Sequence, residues 1–264
     1  MNGTVITITS GKGGVGKTTT TASIAVALSR MGKKVVCIDG DIGLRNLDAA
    51  LGLHERVAND IVDVAEGRAR LMHALVEDMV LPNLMLLPAS KERDKDSINQ
   101  YQMAQICREL KSSFEFVLID CPAGIETGFK NAITPADQIL VVVTAEVSSI
   151  RDGDRVIGLI EGIGKPAPRL IVNRFRPSMS KRGEMMDVSR ILDILAIELI
   201  GVVPEDERAI AAGNRGIPLT WRANSPAAIA FTQIARRLLG EEVPLRDFLP
   251  QTSLFGRMTR LFGF

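Results

Sequence analysis

Short apolar runs punctuate this chain at intervals suited to a wound sheet. Residues 5–9 alternate apolar side chains with threonine, while 35–38, 84–87, 116–119, 139–143, 170–172 and 199–203 are unbroken or nearly so. Unbroken runs of this length fit strands covered on both faces. Between most of them lie helix-length stretches: 19–30, with Ile24, Ala25, Leu28 and Met31 on one face, then 98–111, 148–161, 184–195 and 226–239. The alternation predicts an α/β fold, a doubly wound, mostly parallel sheet with helices on both faces. Ligands of such sheets bind outside the carboxyl ends of the strands.

The last residues break this pattern. After Pro244 and Pro250, the segment 253–264 places Leu254, Phe255, Met258, Leu261 and Phe262 on one side of a helix and Gly256, Arg257, Thr259 and Arg260 on the other. So short a helix is marginal in water and would fold mainly against an apolar surface. Its arginines would each gain roughly 1 kcal/mol near anionic headgroups. The expected division is a folded domain over 1–245 and a linker with a basic amphipathic, membrane-targeting tail over 246–264.

The chemistry concentrates where predicted strands end. After the first comes Gly11-Lys12-Gly13-Gly14-Val15-Gly16-Lys17-Thr18, which fits G-x-x-x-x-G-K-[ST] at every fixed position and leads from a strand into a helix through Thr19. Glycines let the backbone curl so that successive N–H groups and the helix N-terminus face an anion. Lys17 would neutralise the β and γ phosphates of a nucleoside triphosphate, and Thr18 would offer its hydroxyl to Mg²⁺. The second run ends in Asp39-Gly40-Asp41, two acids placed to hydrogen-bond the cradle and orient a water, and helix capping by Asp41 or Asp48 is the alternative use of such acids. The run 116–119 ends in Asp120, the Walker B position, where a buried carboxylate lies near the metal. Asp41 joins Thr18 and Asp120 as a candidate for the metal surroundings. Pro122 and Gly124 mark the following loop as a switch.

Composition adds exclusions. With 264 residues, 46% hydrophobic and 24% charged, the chain reads as a soluble globular protein with a sizeable core. A net charge of +1 supplies no global field for nucleic acid. Cys37, Cys107 and Cys121 form no C-x-x-C pair and read as reduced core thiols of a cytosolic protein. The first ten residues lack the layout of a signal peptide, and no apolar run approaches the ~18 residues that span a bilayer, so any membrane contact would be peripheral. At 146–155, Ser148 or Ser149 is a plausible N-cap for a helix with acids near its first turn.

The lysine at position 12, directly before Gly-Gly-Val-Gly-Lys-Thr, resembles the deviant Walker A loop of the MinD/ParA family of ATPases, and the resemblance extends along the whole chain. It implies ATP and Mg²⁺ as ligands and a homodimer in the ATP state, with Lys12 crossing to the partner's nucleotide. It also implies Asp41 as the residue that positions the attacking water, Asn173 and Arg174 beside the adenine, and the Pro204-Glu205-Asp206 loop supplying backbone contacts to the base. Arg45, Asp152 and Asp154 become partner-surface candidates. The implied protein sits on the cytoplasmic face of the cell membrane, recruits a division inhibitor of the MinC type, and is released when a MinE-type regulator stimulates an otherwise slow hydrolysis. Two family alternatives share these motifs. A ParA-like DNA-segregation ATPase would use Arg169, Arg174, Arg176, Lys181 and Arg182 as its basic cluster. A flagellar-number regulator would also end in an amphipathic segment, with an extra N-terminal activator helix.

Overall fold

The computed structural model describes residues 3–209, 216–221 and 225–245. The amphipathic segment read at 253–264, with its membrane-facing positions, lies outside the described residues. All seven predicted strands form: β1 (Thr4–Thr9), β2 (Val35–Asp39), β4 (Leu84–Leu87), β5 (Phe116–Asp120), β6 (Gln138–Thr144), β7 (Arg169–Phe175) and β8 (Glu198–Pro204). A two-residue edge strand, β3 (Val76–Glu77), joins them, giving the order β3-β4-β2-β5-β1-β6-β7-β8 with only β3 antiparallel. The order in which strands are added reverses beside β1, so the carboxyl ends of β2, β5 and β1 open together at the centre of the sheet.

The strands alternate between two cores. Val36, Ile38, Val117, Ile119, Val141 and Val143 enter one, while Ile6, Ile8, Cys37, Leu118, Leu140 and Val142 enter the other. Outside β1, where threonines share one face, and the two-residue β3, the strands are therefore apolar on both faces, the reason their sequence runs were unbroken.

The second core is closed by helix α1 (Lys17–Arg30) and by the final described helix (Pro226–Leu238), which starts from a Ser225 cap on the Ala228 amide with proline at its first position. Helix α1 is buried well beyond the stripe of Ile24, Ala25 and Leu28, because the sheet, the final helix and α2 (Leu47–Leu51) surround it. The first core is covered by α3 (Ile61–Ala65), α4 (Leu71–Ala74), α5 (Gln100–Ser113), α6 (Thr127–Ile133), α7 (Val147–Gly162) and α9 (Val188–Leu195), with α8 (Pro177–Lys181) outside it. Helices of four to seven residues are too short to display a 3.6-residue period, and these the sequence pattern missed.

Several predicted helix starts move by one to four residues, and two of the shifts bear on side-chain roles. Helix α9 begins at Val188 rather than at 184, because the Asp187 carboxylate caps the Arg190 amide at 2.8 Å. Helix α7 begins at Val147, so neither serine is its N-cap. Ser149 Oγ instead accepts from the Thr144 amide at 3.0 Å, pinning the end of β6. Asp152 and Asp154 fall beyond the first turn, which holds no acid.

Candidate functional site

The loop between β1 and α1 is shaped by close approaches that admit only glycine. A Cβ on Gly11 would lie 2.1 Å from the Asp152 carbonyl oxygen, and one on Gly16, at φ +97°, would lie 2.4 Å from Asn173 Nδ2. The same Asn173 amide donates to the Val15 carbonyl at 2.7 Å, so a side chain from the end of β7 fixes the cradle from behind. Ser10 ties its front: the hydroxyl donates to the Lys12 carbonyl at 2.7 Å and accepts from Lys17 Nζ at 3.1 Å. Lys17 is thereby held with only 8% of its surface exposed, its ammonium where phosphate would lie.

Behind Lys17 stand two buried acids. Asp39 and Asp120 end adjacent strands as register partners, and both are essentially inaccessible. Burial, with the neighbouring Asp39 charge behind it, pushes the Asp120 carboxyl up to about 7 against the pull of Thr18, Lys17 and Thr21. Burial likewise raises Asp39 to about 6, although two backbone amides favour its ionised form. Thr18 Oγ1 donates to Asp120 Oδ2 at 2.6 Å, and Thr21 Oγ1 reaches Oδ1 at 3.3 Å. A hydroxyl and a carboxylate meeting at a helix N-terminus are hard oxygen donors of the kind Mg²⁺ takes, with water and phosphate completing its shell. The residues present fit that ion.

Asp39 has a second task that the sequence reading left to Asp41 or Asp48. Its carboxylate accepts from the Asp41 and Leu47 amides, both at 3.0 Å, and so folds residues 40–46 and caps α2. Asp41 is left half-buried at the rim. Burial raises its carboxyl above the ordinary value, against the pull of Lys95 and then Lys17. Asp48 pairs with Arg45 at 2.7 Å. Arg45, read as a partner-surface candidate, has its side chain 13% exposed and φ at +47° in this single chain, turned toward Asp48. Asp152 is partly covered beside Gly11, and Asp154 is exposed.

Lys12 points away from its own cradle. Its Nζ donates to Ser148 Oγ at 2.9 Å and to Glu146 Oε2 at 3.3 Å, across the first turn of α7. Neither acceptor was assigned this role by the sequence, whose only local signal was a serine pair at a helix start.

The base-side residues converge as read. Thr19, Asn173, Arg174, Pro204, Glu205 and Asp206 line one cleft of about 180 Å³ next to Gly16, closed by Leu219 and Phe231. The basic cluster invoked for DNA assembles only in part: Arg174 and Arg176 line one cleft together with Arg190. Arg169 begins β7 and Arg174 lies near its other end, roughly 16 Å away at strand rise, and Arg182 is engaged by Glu184 at 2.7 Å. The three cysteines are free and buried, and burial pushes the Cys107 and Cys121 thiols up to about 12. Among the described residues no helix is long and apolar enough to cross a membrane.

Comparison with known proteins agrees with this geometry. The family described as the CobQ/CobB/MinD/ParA nucleotide binding domain matches residues 6–219. The septum site-determining protein MinD of Synechocystis sp. is 50% identical over 260 residues, 97% of each chain. The fold superposes at TM-score 0.87 on a chain of the Aquifex aeolicus MinC:MinD cell division protein complex, 49% identical over 93% of this chain and 99% of that one. It superposes at 0.81 on the Pyrococcus horikoshii MinD complexed with Mg-ADP, 29% identical over 91% and 99%. A phosphate cradle with a displaced lysine, two buried acids and a base cleft thus occur in a chain that belongs to the CobQ/CobB/MinD/ParA nucleotide-binding family, within its septum site-determining MinD group.

Proposed function

We propose that the chain places the cell-division site as an ATPase whose bound nucleotide controls self-association and membrane attachment. The observation that carries this reading is the position of Lys12. It lies outside its own cradle, held by two side chains that are easily exchanged for a partner's phosphate, while Lys17 alone serves the cradle from within.

The reaction is in-line attack of water on the γ phosphate of ATP. Lys17 and the loop amides bind and orient the phosphates, Asn173 and Ser10 keep that loop in shape, and the 180 Å³ cleft takes the adenine. When bound, Mg²⁺ supplies charge neutralisation across the phosphates, and Thr18 and Asp120 are the residues that would hold it. Asp41 aims the water, and Lys12 of a second copy completes the charge stabilisation, as an arginine finger does in other NTPases. Among the pocket residues none is placed as a strong base, which suits slow basal turnover accelerated by a regulator of the MinE type.

The ATP dimer brings two copies of the 246–264 tail together on one particle. One weak amphipathic anchor becomes two linked anchors, and avidity favours the cytoplasmic face of the membrane. Residues 1–245 form the ATPase domain in this reading, and the membrane-bound dimer recruits a division inhibitor of the MinC type, the partner named for the Aquifex relative. Asp152 and Asp154, on α7, are the partner-facing candidates.

Co-sedimentation with anionic liposomes tests the reading. Pelleting in ATP that is weak in ADP and lost on deleting 253–264 is the expected result. Pelleting indifferent to nucleotide, or a Lys12→Ala variant with unchanged stimulated turnover and dimerisation, would overturn it.

A further inference from the structure

Three loops at the carboxyl ends of strands frame the place of the γ phosphate. Two of them follow β2 and β5 and carry Asp41 and Asp120. The third, residues 88–99 between β4 and α5, is tied to both neighbours. Its Ser90 carbonyl accepts from the Gly43 amide at 2.8 Å, in the Asp41 loop. Its Ile98 carbonyl accepts from Asn131 Nδ2 at 2.6 Å, in the helix that follows the Asp120 loop. A further bond from the Ile61 amide to the Pro88 carbonyl, at 2.9 Å, anchors its root.

Between these ties the loop brings Lys95 over a gap whose other walls are Gly40 and Asp41 on one side and Pro122, Ala123 and Glu126 on the other. The gap measures about 20 Å³, room for a single water. Among the described residues Lys95 makes no ion pair within 4 Å, and Asp41 and Glu126 are the carboxylate residues that line the gap with it. Asp41 adds its charge beside the buried Asp39, and Arg45 is spent on Asp48. Lys17, the other cation near Asp41, is the group that a phosphate takes. The arrival of ATP would therefore withdraw one counter-charge from Asp41 and add several negative ones beside it. An anionic side chain in that position swings away unless a cation holds it from the far side.

We propose that Lys95 is a positioning residue for hydrolysis: across a one-water gap it holds the Asp41 carboxylate, and with it the loop after β2, in the orientation that aims the attacking water. It acts through Asp41, and the inference rests on the assignment of Asp41 given above.

The test is ATP turnover by the full-length chain with Mg²⁺, by steady-state and single-turnover assays, for wild type, Lys95→Met, Lys95→Arg, Asp41→Asn and the Lys95→Met/Asp41→Asn double variant. Lys95→Met is expected to lower kcat about ten- to a hundredfold, with KM for ATP and affinity for a fluorescent ADP within about twofold, since uniform binding is untouched. Lys95→Arg keeps the charge and should recover most of the rate. The double variant should be no slower than Asp41→Asn alone. An unchanged kcat in Lys95→Met, a raised KM with kcat kept, or a multiplicative loss in the double variant each overturns the proposal. If Asp41→Asn itself turns over normally, the assignment of Asp41 falls with it; if only Lys95→Met is without effect, the proposal falls alone. Lys95 is exposed, and equal melting temperatures for Lys95→Met and wild type keep a folding defect from imitating the result.

Discussion

The Thr18 hydroxyl sits 2.6 Å from an Asp120 carboxylate oxygen, and that carboxylate lies beside Asp39 on the neighbouring strand. The arrangement stores two buried acids behind one lysine. Both carboxyls are harder to ionise in the folded chain than in the unfolded one, where the ordinary value is 3.8. The folded state therefore keeps protons that the unfolded state releases. The stability this provides is complete below the unfolded value and is lost as pH rises through about 6 and about 7. Without nucleotide or Mg²⁺, the melting temperature is expected to fall as pH is raised across that window. Asp120→Asn, which removes one of the two charges, should flatten the fall, as scanning calorimetry at a series of pH values would read.

Releasing Lys12 should favour association. Its pair with Glu146 is between side chains 41% and 62% exposed, so the contact is worth at most about 1 kcal/mol. Glu146→Gln is expected to tighten the ATP-dependent dimer roughly two- to fivefold at low salt and hardly at all at high salt. Sedimentation velocity in ATP at two ionic strengths would measure the difference. Weaker dimerisation in that variant would mean that Glu146 serves the assembled state.

Asn173 joins the two halves of the site. Removing its side chain leaves the Val15 carbonyl without its 2.7 Å partner, a loss of about 1–3 kcal/mol. Asn173→Ala is expected to weaken ATP and ADP binding alike by roughly five- to a hundredfold, because a misshapen cradle does not distinguish them. Titration with fluorescent nucleotides would show whether the losses are equal. A loss confined to ATP would contradict a cradle-holding role.

Phe231 couples stability to the base cleft. It is 1% exposed in the final described helix and also lines the adenine-side cleft. Phe231→Ala should cost about 3–5 kcal/mol in urea unfolding and lower nucleotide affinity as well. Saturating ATP should recover part of the lost stability, since binding to the folded state alone adds free energy by mass action.

The sequence was informative wherever one short pattern carried one job. The glycine loop, the seven long strands and the Asp120 position followed from local letters, because a cradle needs glycines in fixed places and a doubly covered strand needs an apolar run. What stayed hidden was pairing across distance. Ser148 and Glu146 as holders of Lys12 and Lys95 over Asp41 are made by residues from different strand ends, brought together by the order β4-β2-β5-β1-β6, while Asp39 caps α2 across the loop that follows its own strand. The pairing of Arg45 was hidden for a related reason: its partner three residues on is buried, which a loop sequence does not display. Arg169 looked clustered with Arg174 in sequence because a strand carries its two ends far apart over few residues.

Both margins of the sheet are blunt. On one side β3 offers only two residues, with the Arg56 guanidinium on the Glu77 carbonyl. On the other, β8 meets β7 with register shifts, and Arg237 occupies the Ile200 carbonyl while also gripping those of Val243 and Pro244. Among the described residues the β3 border is too short to offer a row of free amides and carbonyls, and at the β8 border a guanidinium holds one carbonyl that another chain would need, so strand addition is impeded at both margins.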